Sequence, residues 1–113
     1  MAAGYQDLFL EQGTTFTTSI TLDDSNGSPY NLNDFSVRSQ ARKSYYSDNT
    51  VINFDASVVD ANSGVIQLSA NSATTANVSA GKLVYDVLIT QTSTGVVTRV
   101  LEGQIIVSPT VTR

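Results

Sequence analysis

Apolar and polar side chains alternate with a period of two along most of this chain. The clearest run sets apolar or β-branched side chains on one face against small hydroxyl side chains on the other: Phe16, Thr18, Ile20 and Leu22 against Thr15, Thr17, Ser19 and Thr21. Successive side chains of a β-strand point to opposite sides, so this run predicts a strand with one buried and one solvated face. The segment 8–11 precedes it, and an Asn-Gly turn at 23–27 follows it.

The same alternation predicts further strands at 35–43, 52–58, 65–69, 83–90 and 96–107. The segments 52–58 and 65–69 form a predicted hairpin, because the Gly and Asn residues between them favour a turn. The stretch 70–81 has no strand period and is too short for a stable isolated helix, so we expect a turn of helix crossing between sheets. Pro109 ends the last strand because it has no N–H to donate.

About seven short strands, spaced 8 to 20 residues apart, account for nearly the whole sequence. This spacing predicts an all-β fold, a single immunoglobulin-like β-sandwich of antiparallel strands, with an open barrel as the alternative. A chain of 113 residues has room for one hydrophobic core of useful size. Residues 1–113 are therefore expected to form one domain.

Composition narrows the chemistry, because the chain contains no His, no Cys and no Trp. The usual general base at neutral pH and the usual transition-metal ligands are therefore missing. Carboxylates alone hydrolyse glycosides only when two of them face each other across a cleft, which a small sandwich seldom provides. We expect no enzymatic activity, no catalytic residue, no metal ligand and no cofactor, and a fold that forms without any of these.

Charge and the length of the apolar runs disfavour two further classes of partner. The formal net charge of −4 disfavours nucleic-acid binding, which depends on clustered cations. No apolar run approaches the roughly 20 residues of a membrane span, and the first residues lack the pattern of a signal peptide. We therefore expect no nucleic-acid or membrane partner, and synthesis and assembly in a cytoplasm.

Two short motifs suggest binding sites. The acids at 23–27 resemble part of a calcium loop, but the positions of the first and last ligands hold Leu22 and Asn33, so a plain turn is the preferred interpretation. Cations and aromatics cluster only at 42–46, where Tyr45 and Tyr46 either pack on the sandwich edge or contact another protein. Hydroxyl-rich sheet faces also occur in ice-binding and glycan-binding proteins. In this chain the hydroxyl side chains form such a face on only one strand, so a solvated face is the preferred interpretation.

The last two predicted strands define a register. Counting back from the turn at 93–95 pairs Tyr85 with Gly103 on the inner face and Asp86 with Glu102 on the outer face. Two carboxylates directly opposite repel each other unless a cation intervenes. We expect Arg38 or Arg42, on the neighbouring strand, to bridge them.

Apolar side chains are predicted to surround these charges on the outer face, which is unusual for a solvated sheet. Polar groups amid apolar ones are typical of a protein-docking surface. The candidate protein interface comprises Arg38, Arg42, Tyr45, Tyr46, Val84, Asp86, Leu88, Val100, Glu102 and Ile106.

Five short sequence motifs suggest a family: E-Q-G at 11–13, N-L-x-x-F at 31–35, Q-x-R-K-S at 40–44, A-G-x-x-x-Y-D at 80–86 and R-x-L-E-G-x-x-x-V-x-P at 99–109. They lie in two stretches, 8–47 and 80–113, that cover about two-thirds of the chain. The chain resembles small immunoglobulin-like virion proteins of tailed bacteriophages, notably contractile-tailed phages of marine cyanobacteria, and more loosely the N-terminal domain of upper baseplate proteins.

This resemblance implies a structural virion protein, assembled in the host cytoplasm, whose partners are other virion proteins or copies of itself. A tail-associated or baseplate-associated adaptor fits best, because the chain has no counterpart of the receptor-binding part that follows this domain in the longer baseplate proteins. Capsid decoration and a glycan-binding attachment module remain the alternatives.

Overall fold

The computed structural model describes residues 4–23 and 27–111. They form nine strand segments and one short helix: β1 (Gly4–Tyr5), β2 (Leu8–Glu11), β3 (Phe16–Thr21), β4 (Phe35–Arg42), β5 (Ile52–Asn53), β6 (Asp55–Asp60), β7 (Val65–Ala70), α1 (Ser72–Ala76), β8 (Gly81–Gln91) and β9 (Val97–Ser108). The predicted strands at 8–11, 16–22, 35–43, 65–69, 83–90 and 96–107 are present, and α1 lies in the stretch where a turn of helix was expected. The predicted single strand at 52–58 is divided instead, because β5 pairs with β4 whereas β6 pairs with β7.

The strands divide into two sheets. The large sheet has the order β1-β9-β8-β4-β5, with β2 also paired to β9, and the small sheet has the order β3-β7-β6. Helix α1 connects β7 of the small sheet to β8 of the large sheet. Two separate sheets in this order confirm the immunoglobulin-like β-sandwich rather than the open barrel.

The N-terminal strands depart from the predicted antiparallel arrangement. Both β1 and β2 run parallel to β9, with Tyr5 beside Glu102 and Phe9 beside Ile106. A parallel pair joins the first and last strands of the sequence, so no local turn signal could have indicated it. The large sheet is consequently wider than the alternation alone implied.

The core lies between the two inner faces, where alternate side chains of each strand are buried. Its fully buried members include Leu10, Ile66, Leu68, Tyr85, Ile89 and Ile105. The register prediction for Tyr85 is confirmed, because this residue pairs with Gly103 and is only 2% exposed. The Tyr85 hydroxyl donates a hydrogen bond to the Gln6 carbonyl at 2.6 Å, which ties the β1–β2 junction to the core.

Asn71 caps α1 by accepting a hydrogen bond from the Thr74 N–H at 2.8 Å. Within the described residues, no helix combines the length and the apolar character needed to cross a membrane.

Candidate protein interface

The candidate interface is the outward surface of the large sheet, which we call the outer face. Three strands form its centre, and their register sets Arg42 beside Val84, Gln40 beside Asp86 and Arg38 beside Leu88. On the other side of β8, Asp86 lies beside Glu102, as the register predicted. The outer face comprises Tyr5, Asp7, Phe9, Glu11, Arg38, Gln40, Arg42, Tyr45, Lys82, Val84, Asp86, Leu88, Arg99, Glu102, Gln104 and Ile106.

A β-bulge in β9 changes which side chains reach this face. Val87 pairs with Leu101 but Leu88 pairs with Arg99, so Val100 is the extra residue. Both Val100 and Leu101 are buried, at 6% and 5% exposure. The prediction that Val100 points outward is therefore wrong, because a bulge places two successive side chains on roughly the same side of the sheet.

The bulge also decides which cation neutralises the acidic pair. Side chains three positions apart in a regular strand point to opposite faces, but the extra residue brings Arg99 and Glu102 to the same one. An Arg99 Nη2 atom lies 3.0 Å from Glu102 Oε2. The expected bridge from Arg38 or Arg42 is therefore wrong: no ion pair joins either of them to an acid within the described part of the chain.

Arg42 is instead directed toward the loop that follows β4. Its guanidinium donates to the Ser47 carbonyl at 2.7 Å and to Gln40 Oε1 at 3.2 Å. Arg42 still influences Asp86 through space. Burial raises the pKa of the Asp86 carboxyl, the Arg99 charge lowers it, Glu102 raises it and Arg42 lowers it. A half-buried carboxylate without a direct ion pair thus lies at the centre of the face.

Apolar side chains surround these charges. Val84, Leu88 and Ile106 point outward, as predicted, and are half-buried by their neighbours. At the edge of the face, Tyr5 and Phe9 are 63% and 72% exposed. Sequence reasoning missed both, although alternation in 8–11, with Leu8 and Leu10 buried on either side of Phe9, was a usable signal.

Tyr45 and Tyr46 do not pack on the sandwich edge, since they are 56% and 95% exposed. Of the two alternatives for these rings, packing of both on the sandwich edge is therefore wrong. Tyr45 lies at the rim of a shallow recess of about 220 Å³, whose walls also include Arg42, Val84 and Asp86. Tyr and Arg side chains, which lie together at this recess, are enriched at the energetic centres of protein interfaces.

The suggested calcium loop lies partly outside the described residues, which include Asp23 and Gly27 but not 24–26. Within residues 4–23 and 27–111, no three acidic side chains lie close enough to hold a metal ion.

No family model matches this chain, and no curated protein matches it. It is similar to a chain in the crystal structure of ICOS in complex with ICOS-L and an anti ICOS-L VNAR domain, with a TM-score of 0.45 and 16% sequence identity. The similarity covers 96% of this chain, which spans 56% of the length of that one. A likeness this distant carries no argument about function, and the fold assignment rests on the strand order described above.

Proposed function

We propose that this chain is a non-enzymatic structural virion protein of a tailed bacteriophage, a tail-associated or baseplate-associated adaptor that docks on another virion protein through its outer face. The observation that carries the docking proposal is the mixed character of that face. Exposed aromatic rings and half-buried aliphatic side chains surround a compact group of charges. Interfaces concentrate their binding energy in such Tyr and Arg side chains.

Charge defines the partner further. The part of the outer face formed by β4, β8 and β9 carries four cations and two acids, although the whole chain has a net charge of −4. Those cations are Arg38, Arg42, Lys82 and Arg99. A partner with an acidic surface would complement this face and would be repelled by the rest of the molecule, which fixes the docking orientation.

The non-enzymatic part of the proposal is supported by the position of the acids. Asp86 and Glu102 lie side by side on an open sheet rather than across a cleft. Paired glycosidase carboxylates must instead flank a substrate held between them.

The proposed virion role rests on the family resemblance. It is tested by finding whether the protein is present in phage particles and where it lies in them. Mass spectrometry of purified particles should detect the protein, and a cryo-EM map should place it on the tail or baseplate. Density on the head would instead support capsid decoration, and absence from particles would refute a virion role altogether.

The docking face is tested by a double variant, Arg42→Glu with Leu88→Thr. We expect this variant to remain folded and to be lost from particles, because it reverses one charge and removes apolar area at the centre of the face. The matched control, Asp55→Lys with Val59→Thr, makes equivalent changes on the exposed edge of the small sheet and should be incorporated normally. Normal incorporation of the outer-face variant would contradict the assignment of this face.

A further inference from the structure

The small sheet has an open edge at β3. Strand β3 pairs with β7, and within the described residues no strand pairs with its other side. The Leu22 N–H donates across the ladder to the Gly64 carbonyl at 2.8 Å. Because the direction of these groups alternates along a strand, the N–H and C=O groups of Thr17 and Ser19 point to the open edge.

The two edges of the small sheet differ in how well they are protected. Edge strand β6 carries Asp55 and Asp60 and is interrupted by a bulge between Val58 and Asp60. Charges and bulges are the features that prevent one edge strand from pairing with another. Strand β3 has neither over its six residues, and it contains no proline.

The inward side chains of β3 are also incompletely covered. Phe16 and Thr18 are half-buried, whereas Ile20 is buried in the core. A groove of about 470 Å³ runs beside these residues, and the exposed Phe9 ring is part of its wall. An added strand would cover Phe16 and Thr18 and would satisfy the free backbone groups.

We infer that the strand that pairs with this edge is β3 of a second copy, antiparallel and centred on Thr18. This register sets Phe16 opposite Ile20 of the second copy on the inner face, and Thr17 opposite its Ser19 on the outer face. Apolar residues thus meet apolar residues, hydroxyls meet hydroxyls, and no charge on β3 opposes the pairing. The arrangement joins two small sheets into one, and it leaves the centre of each outer face, formed by β4, β8 and β9, free for the docking proposed above.

The charged groups that line the groove are the carboxylates of Asp7 and Glu11. They are the like charges that two copies would bring together, so added salt should strengthen the dimer by screening them.

Cysteine cross-linking tests the register, because the chain has no native Cys. Opposed residues at the centre of such a pair have Cα atoms about 4.5 Å apart, within disulfide range. Thr18→Cys should therefore form a disulfide-linked dimer under mild oxidation. Thr21→Cys is the control, because its two copies would lie roughly 20 Å apart at about 3.4 Å per residue. Equal cross-linking of the two variants would overturn the register.

Sedimentation velocity tests the pairing itself. The native chain should shift from monomer to dimer as its concentration rises. Thr17→Pro removes one outward N–H and should keep the chain monomeric, while circular dichroism shows that it remains folded. Thr17→Ala keeps the N–H and should still dimerise. A native chain that stays monomeric at all concentrations, with no Thr18→Cys dimer, would overturn the proposal.

Discussion

Replacing Gly103 by alanine should detach the first strand of the large sheet. An alanine Cβ at this position would lie 2.0 Å from the Gln6 carbonyl oxygen and 2.8 Å from its carbon. Both are backbone atoms, so no side-chain rotation relieves the overlap. The β1–β2 junction must therefore move away from β9.

That movement removes identifiable interactions. The Gln6 N–H loses its 2.9 Å bond to the Glu102 carbonyl, and the Tyr85 hydroxyl loses its 2.6 Å bond to the Gln6 carbonyl. Two hydrogen bonds at about 0.5–1.5 kcal/mol each, added to about 1–3 kcal/mol of overpacking strain, give an expected loss of about 2–6 kcal/mol in the free energy of unfolding.

Urea denaturation followed by circular dichroism measures this loss. Gly4→Ala is the matched control, because a Cβ there meets only ordinary contacts, the nearest being Leu101 Cδ1 at 3.5 Å. It should change stability by less than about 0.5 kcal/mol.

A double-mutant cycle distinguishes detachment from simple crowding. Tyr85→Phe alone should cost about 1–3 kcal/mol, since it leaves the Gln6 carbonyl without its donor. If Gly103→Ala has already broken that bond, the double variant should lose about 1 kcal/mol less than the sum of the single losses. Strict additivity, or a loss below about 1 kcal/mol for Gly103→Ala, would refute the reasoning.

Two further predictions concern the ends of elements. Hydrogen bonds from Ser93 and Thr92 lower the pKa of Asp34, so its contribution to stability is present above the unfolded pKa and is lost as the pH falls through the folded pKa. Asn tolerates the backbone φ of 73° at this position, so Asp34→Asn should fold normally. This variant should lose stability less steeply than the native chain below about pH 4. An equal dependence of unfolding free energy on pH in the two proteins would contradict this. Asn71→Ala removes the cap of α1 and should lower the free energy of unfolding by about 1 kcal/mol. Asn71→Ser keeps a capping side chain and should retain most of that stability. Equal losses for the two variants in thermal melts would show that the cap contributes little.

Much of the fold could be predicted from local pattern. Strand alternation depends on side chains two positions apart, and hairpin turns depend on residues such as Asn and Gly at the turn itself, so both are visible in the sequence. The pairing of Tyr85 with Gly103 was predicted in this way, but two errors cancelled in it. Near the turn the ladder pairs Thr90 with Val97, one position away from the expected register, and the bulge restores that position further along.

The arrangement of the outer face was decided by the tertiary structure. The bulge at Val100 depends on how β9 fits its neighbours on both sides, and it selected Arg99 as the partner of Glu102. The parallel pairing of β2 with β9, which places Phe9 on this face, joins segments almost a whole chain length apart. Sequence periodicity indicates which side of a strand is buried, but it contains no information about which distant strand lies beside it, because that choice depends on the packing of the complete core.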